Sequence, residues 1–225
     1  MKSPEVDIPE SDRTLGGRLP LLDPSELSSA QHENYERFAS KLLPWADSVG
    51  FQSRTSDGRL IGPFNPALYS PGVSAGWADF MEAEATSTSL NKRVRQVVIL
   101  TVGAVWKSSY ELYAHSAEAR KVGLPDKVIE ALVAGQIPAQ LADDEKLAAR
   151  FAQQLTAQRR VDAALYAEAE RVYGQRALVD LALLVGFFHT TCAVLNAFEI
   201  PAPRSFDFGA GGRDRRDLAP MRNKS

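Results

Sequence analysis

Arg95-Gln96-Val97-Val98-Ile99-Leu100-Thr101-Val102-Gly103-Ala104-Val105-Trp106-Lys107-Ser108-Ser109-Tyr110-Glu111-Leu112-Tyr113-Ala114-His115 carries a mostly apolar run straight into an acid and an imidazole four residues apart. On a helix that spacing stacks Glu111 and His115 on one face, beside the hydrophobic wall built by the preceding run. The acid can orient the ring or pair with its charge, and acid–imidazole pairs beside apolar walls are frequent sites of catalysis. The plainer alternative is a structural ion pair, which contributes roughly 0.2–0.5 kcal/mol to an exposed helix.

The surrounding chain reads as helix almost throughout. Helices are predicted near 72–86, 90–107, 108–122, 125–134, 143–158, 162–173 and 175–198, punctuated by Gly123-Leu124-Pro125 and Tyr173-Gly174. Upstream, Asp23-Pro24-Ser25-Glu26 supplies a cap and a first-turn proline, so a further helix is expected from about 25 to 43, stopping at Pro44. Strand signals are essentially absent, and the fold class is all-α. Residues 50–71 hold three prolines and a turn signal at Asp57-Gly58. Such a segment either covers a pocket or is a structural connection packed by Leu60, Ile61 and Phe64. Residues 1–23 read as an arm that stays extended or disordered until it meets a surface, and 24–203 as a single helical domain. Residues 204–225, with Gly209-Ala210-Gly211-Gly212-Arg213, read as a flexible tail.

Composition limits what the pair can belong to. At 225 residues and 44% hydrophobic, the chain can bury one sizeable core. A formal charge of −2 gives no field to draw nucleic acid or an anionic membrane. The single cysteine, Cys192, excludes an intrachain disulfide or CxxC pair and lies in an apolar run where a thiol packs as a small hydrophobe. The N-terminus lacks the apolar stretch of a signal peptide, and the apolar segments are broken by polar residues before they can span a bilayer. These features predict a soluble cytoplasmic protein.

Histidines occur at 32, 115 and 189. His32 neighbours Glu33 and Glu36 on a charged helix and reads as solvated. His189 and Asn196 lie seven residues apart on one face of the most apolar helix, where each needs a partner; a satisfied core histidine and a pocket-lining one are both open readings. Glu111, His115 and His189 could be imagined around a metal, but there is no HExxH, so no metal or cofactor is expected. No Gly-rich strand-to-helix loop is present to cradle phosphate, and a Ser–His–Asp hydrolase lacks the sheet it needs.

The run from Arg95 through Leu124, with "RxxxIL" leading to "SSYELYAHSAEARKVGL", resembles the carboxymuconolactone decarboxylase family, whose helical fold is shared with the alkylhydroperoxidase D proteins. The segment from Leu184-Val185 to Asn196-Ala197-Phe198-Glu199-Ile200-Pro201 is similar to the end of longer members, so the resemblance covers roughly 60–203. It implies that fold, here with an N-terminal arm and an extra helix. In the redox branch of the family a CxxC precedes the histidine, and Ser108 and Glu111 stand at the two cysteine positions. A disulfide-cycling peroxidase is therefore disfavoured. The decarboxylase branch has Glu and His where Glu111 and His115 stand, and Gln96 replaces a glutamate common in the motif "REL".

The resemblance implies a decarboxylase-like lyase working without a cofactor on a small unsaturated carboxylic acid or lactone. In that reading His115 is the acid, Glu111 holds its tautomer and raises its pKa, and Gln96, His189 or Asn196 donate to the developing oxyanion. The same pair would also serve an isomerase or lactone hydrolase, and a non-catalytic small-molecule-binding oligomer is the rival from another class. A homo-oligomer is expected, a dimer, trimer or hexamer, because members of the family typically assemble.

Overall fold

The computed structural model describes residues 14–203. Among these residues run eight α-helices: α1 Ser29–Val49, α2 Phe64–Tyr69, α3 Pro71–Ser87, α4 Lys92–Trp106, α5 Ser109–Lys121, α6 Asp126–Val133, α7 Asp143–Gln158 and α8 Ala163–Ala197. The apolar run that precedes Glu111 is the centre of the packing. Val94, Val97, Val98, Ile99, Leu100 and Val102 of α4 have no exposed surface, since this helix is apolar over most of its length and is enclosed by α5, α6, α7 and α8. One side of α4 meets α7 and α8 around Leu147, Phe151, Leu181 and Leu184; another meets α5 and α6 around Leu112, Leu124 and Ile129.

α8 breaks where its sequence says it should, with Gly174 at φ 71° and ψ 167° separating two helical halves. Two expectations for it need correction. By length and composition α8 is apolar enough to cross a bilayer, so polar interruption is not what distinguishes it; half of its most apolar 18-residue window is buried in this core. Nor is its second half buried all round, because Val179 and Leu183 remain 58% and 48% exposed.

α1 also departs from its reading. Asp23 caps only the short 3₁₀ turn Pro24–Glu26; the helix begins at a capping box in which Ser28 and Gln31 satisfy each other's backbone. It then runs through Pro44 to a left-handed cap at Gly50. The turn of helix beyond the proline is held by packing: Trp45, Ala46 and Phe51 join a cluster with Ile61, Tyr110 and Tyr113. The predicted turn at Asp57-Gly58 forms, next to an isolated antiparallel bridge between Arg54 and Leu60. The segment 50–71 is not wholly irregular, since it contains α2. Residues 14–23 of the arm do meet a surface: the Arg18 N–H donates to the Phe198 carbonyl at the end of α8, and Leu22 N–H to Asn65 Oδ1. Residues 1–13 and the tail read at 204–225 lie outside the described residues.

Candidate active site

α5 starts one residue after a sharp turn. Lys107 takes a left-handed conformation at φ 54° and caps α4, and Ser108 leads directly into α5. This connection swings Glu111 and His115, one helical turn apart, under α4 and toward α1 and α8. Glu111 is 3% exposed and the His115 side chain 12%. His115 Nδ1 lies 2.9 Å from Gln96 Oε1, and because that oxygen only accepts, Nδ1 carries the proton. His115 Nε2 and Glu111 Oε1 touch at 3.1 Å, but outside hydrogen-bond alignment, so neither is spent on the other.

Burial decides the protonation of this pair. Desolvation pushes the Glu111 carboxyl up to about 8. Desolvation, and then the Arg95 guanidinium nearby, hold the His115 ring down to about 3. The expectation that Glu111 raises the pKa of His115 is thereby corrected: near neutral pH the carboxyl keeps its proton and the ring is an uncharged base. With Gln96 holding Nδ1–H, the Nε2 lone pair is the one available for chemistry.

Glu111, His115 and Gln96 open together on a cavity of about 370 Å³ between α1, α3, α5 and α8. Its apolar walls are aromatic: Phe38, Trp45, Phe64, Trp77, Phe187 and Phe188. The His115 ring stands edge-on to Phe188, with centroids 5.1 Å apart, and 6.2 Å from Trp45. α2 and Pro63, in the segment with the two readings of cover or connection, close one side of this cavity through Phe64. A larger depression on α7 and α8 is lined by surface side chains such as Arg150, Gln154 and Glu168 and lies apart from these groups.

His189 and Asn196 are not brought to this cavity. His189 Nε2 pairs with Thr156 Oγ1 at 3.0 Å on α7, and Asn196 Nδ2 donates to the Trp106 carbonyl at 2.7 Å, covering the end of α4. The reason is helical phase: Phe187, Phe188 and Thr191 face the cavity, and His189 is rotated about 100° from Phe188 onto the neighbouring face. His32 is exposed, with Glu36 Oε1 3.8 Å away.

Other groups escape sequence reading. Glu84 of α3 and Arg95 of α4 form a buried ion pair on the cavity wall, with Arg95 Nε donating to Glu84 Oε1 at 3.1 Å. Trp45 Nε1 donates to Glu118 Oε2 at 3.0 Å. Cys192 is buried beside Ser108 and Glu111, and burial pushes its thiol well above the usual range. Gly72-Val73-Ser74-Ala75-Gly76 has the spacing of a GxSxG nucleophile elbow, but Ser74 is buried in the first turns of α3 instead of on a strand-to-helix turn.

Residues 71–154, which carry Glu111 and His115, match the carboxymuconolactone decarboxylase family. Over that span, less than half of the chain, the sequence is similar to this family. No functionally curated protein matches the chain. An uncharacterized peroxidase-related protein from Silicibacter sp. TM1040 shares the fold, with a TM-score of 0.61 and 18% identity over 90% of this chain and 97% of that one. A second, from Ralstonia eutropha JMP134 and described as an alkylhydroperoxidase AhpD core, has a TM-score of 0.65 and 18% identity over 84% and 93%. A variant of the debrominase Bmp8 in complex with 2,3,4-tribromopyrrole has a TM-score of 0.64 and 13% identity over 84% and 96%. At these identities the likeness speaks for the alkylhydroperoxidase D-like helical fold alone.

Proposed function

We propose that this protein, similar over residues 71–154 to the carboxymuconolactone decarboxylase family, is an acid–base enzyme that moves a proton on a small unsaturated ring compound carrying a carbonyl, such as a lactone or ring acid. The observation that carries this reading is the contact of His115 Nε2 with Glu111 Oε1 at 3.1 Å on the wall of an aromatic-lined cavity, where burial pushes the carboxyl up and the ring down. His115 Nε2 takes a proton from the carbon beside the carbonyl, and the C–H electrons pass into the conjugated system. Glu111 gives its proton to the far carbon of the same system, and the proton on Nε2 then returns to Glu111. Coupling the two transfers keeps a desolvated site from holding a net charge. Gln96 keeps the ring in the tautomer that exposes Nε2. Decarboxylation uses the same groups: the C–C electrons enter the ring as CO₂ leaves, and Glu111 protonates the carbon. The bromopyrrole bound by a debrominase of the same fold supports a planar ring as ligand.

α-Angelica lactone tests the proposal, because its acidic C–H lies beside the carbonyl and its shift to the conjugated isomer is read by NMR in D₂O. The wild-type chain is expected to accelerate deuterium incorporation and isomerisation, and His115→Ala and Glu111→Gln to lose about 10²–10⁴-fold of that rate while keeping native circular dichroism. Rates in the variants equal to wild type would overturn the reading.

A further inference from the structure

Six charged side chains reach the cavity wall: Arg37, Lys41 and Arg95 against Glu82, Glu84 and Glu118. The positive and negative sets are equal in number. Among the described residues, each of the three cations also has a carboxylate partner. Arg95 is forked onto Glu84 deep in the wall, with both side chains largely buried. Lys41 Nζ meets Glu82 Oε1 at 2.5 Å, and Arg37 is held by Asp79 at 2.5 Å with Glu82 at 3.7 Å. Arg37 also donates to the Ala75 carbonyl. The remaining acid, Glu118, accepts from Trp45. A carboxylate reaching the depth of this space beside Arg95 would lose its water and find that cation already paired, an arrangement that penalises anions at a desolvated position.

What the walls do offer is ring surface. Trp77 stacks on Phe187 with centroids 5.5 Å apart, Phe38 meets Trp77 edge to face, and Phe64 packs tilted against both Phe38 and Trp77. His115 and Phe188 continue the same surface toward the acid. The volume of 370 Å³ sits at the small end of the range for ligand pockets, about 300–1,000 Å³.

We infer that the substrate enters as an uncharged unsaturated ring, and that Glu84 and Glu82 set this specificity by neutralising the cations that would otherwise recruit a carboxylate. This deepens the acid–base reading and rests on it for the choice of cavity. It selects, among the reactions open to His115 and Glu111, a proton shift or opening of a neutral lactone over loss of CO₂ from a ring carboxylate. Glu84 and Glu82 are here specificity residues, acting through Arg95, Arg37 and Lys41.

Benzamide and benzoate test this directly, since they share a shape, differ in charge at pH 7.5, and offer the site no proton to move along a conjugated carbonyl. By calorimetric titration, wild type is expected to bind benzamide at least tenfold more tightly than benzoate. Glu84→Gln frees Arg95 and should shift the ratio toward benzoate by about tenfold. Glu82→Gln, at the exposed rim, should shift it less but in the same direction, and serves should loss of the buried pair prevent folding. Benzoate binding as tightly as benzamide in wild type, no binding of either ring, or a ratio unmoved in every folded variant would overturn the inference. Neutral-ring preference without His115-dependent turnover would instead refute the acid–base reading alone, and turnover with benzoate preference would refute only the charge selection.

Discussion

At Glu111 the folded chain holds a proton up to about pH 8 that an exposed carboxyl releases near 4.5. Between those values the folded state binds one proton more at this position than the unfolded state, so stability falls as pH rises. His115 works in the opposite sense: its ring titrates near 6.5 when exposed and near 3 when buried, so across that window the unfolded state binds the extra proton and stability rises with pH. The two slopes oppose each other from 4.5 to 6.5, and Glu111 acts alone from 6.5 to 8. Urea titrations at fixed pH should therefore show the stability difference, Glu111→Gln minus wild type, growing from about pH 4.5 to 8 and level outside that window. A difference that is level throughout would mean an ionised Glu111 in the folded chain. The pair itself was legible as an i, i+4 acid and imidazole, and Gln96 through the resemblance, as the residue standing where the motif "REL" has a glutamate. Their protonation was not, because local spacing suggests mutual stabilisation of charge while the desolvation that reverses it comes from Trp45 and Phe188 on distant helices.

Elements position the site through close approaches that single residues permit. Gly62, at φ +66°, passes against Tyr110 so tightly that a Cβ would lie 2.3 Å from the ring, and it leads directly into Pro63 and Phe64 of the cavity wall. Gly62→Ala should destabilise the protein by about 2–4 kcal/mol in urea denaturation, combining backbone strain with overpacking. A cost under about 1 kcal/mol would show that Tyr110 yields. α1 carries the opposite lesson. Proline removes one helical hydrogen bond, and read locally Pro44 should end the helix. The continuation delivers Trp45 to the cavity and to Glu118, and those contacts, together with the burial of Ala46, hold the last turn in place.

At the scale of the molecule, an apolar surface stays open among the described residues. Phe80 of α3 is 37% exposed and its ring packs on Phe187 at 5.3 Å to join α3 to α8, whose Val179 and Leu183 are 58% and 48% exposed. We propose that this face meets a second copy of the chain, as a self-complementary contact between identical apolar patches. Light scattering after size exclusion should give an oligomer for wild type and a monomer for Leu183→Glu; a monomeric wild type at micromolar concentration would contradict the proposal.

Apolar periodicity, caps and glycine breaks determined most of the helices by themselves, α1 beyond Pro44 and α2 excepted: α7 falls on its predicted residues, the break at Gly174 is where the sequence places it, and the fold is all-α. These are local matters of propensity and hydrogen bonding, complete within a few turns of chain. Tertiary structure alone decided which face of α8 reaches the cavity, that Glu84 of α3 neutralises Arg95 of α4, and that Glu111 rather than His115 keeps the proton. Each depends on what a neighbouring helix presents, and the desolvation that sets charge and selectivity exists only once α1, α3 and α8 have closed over α5.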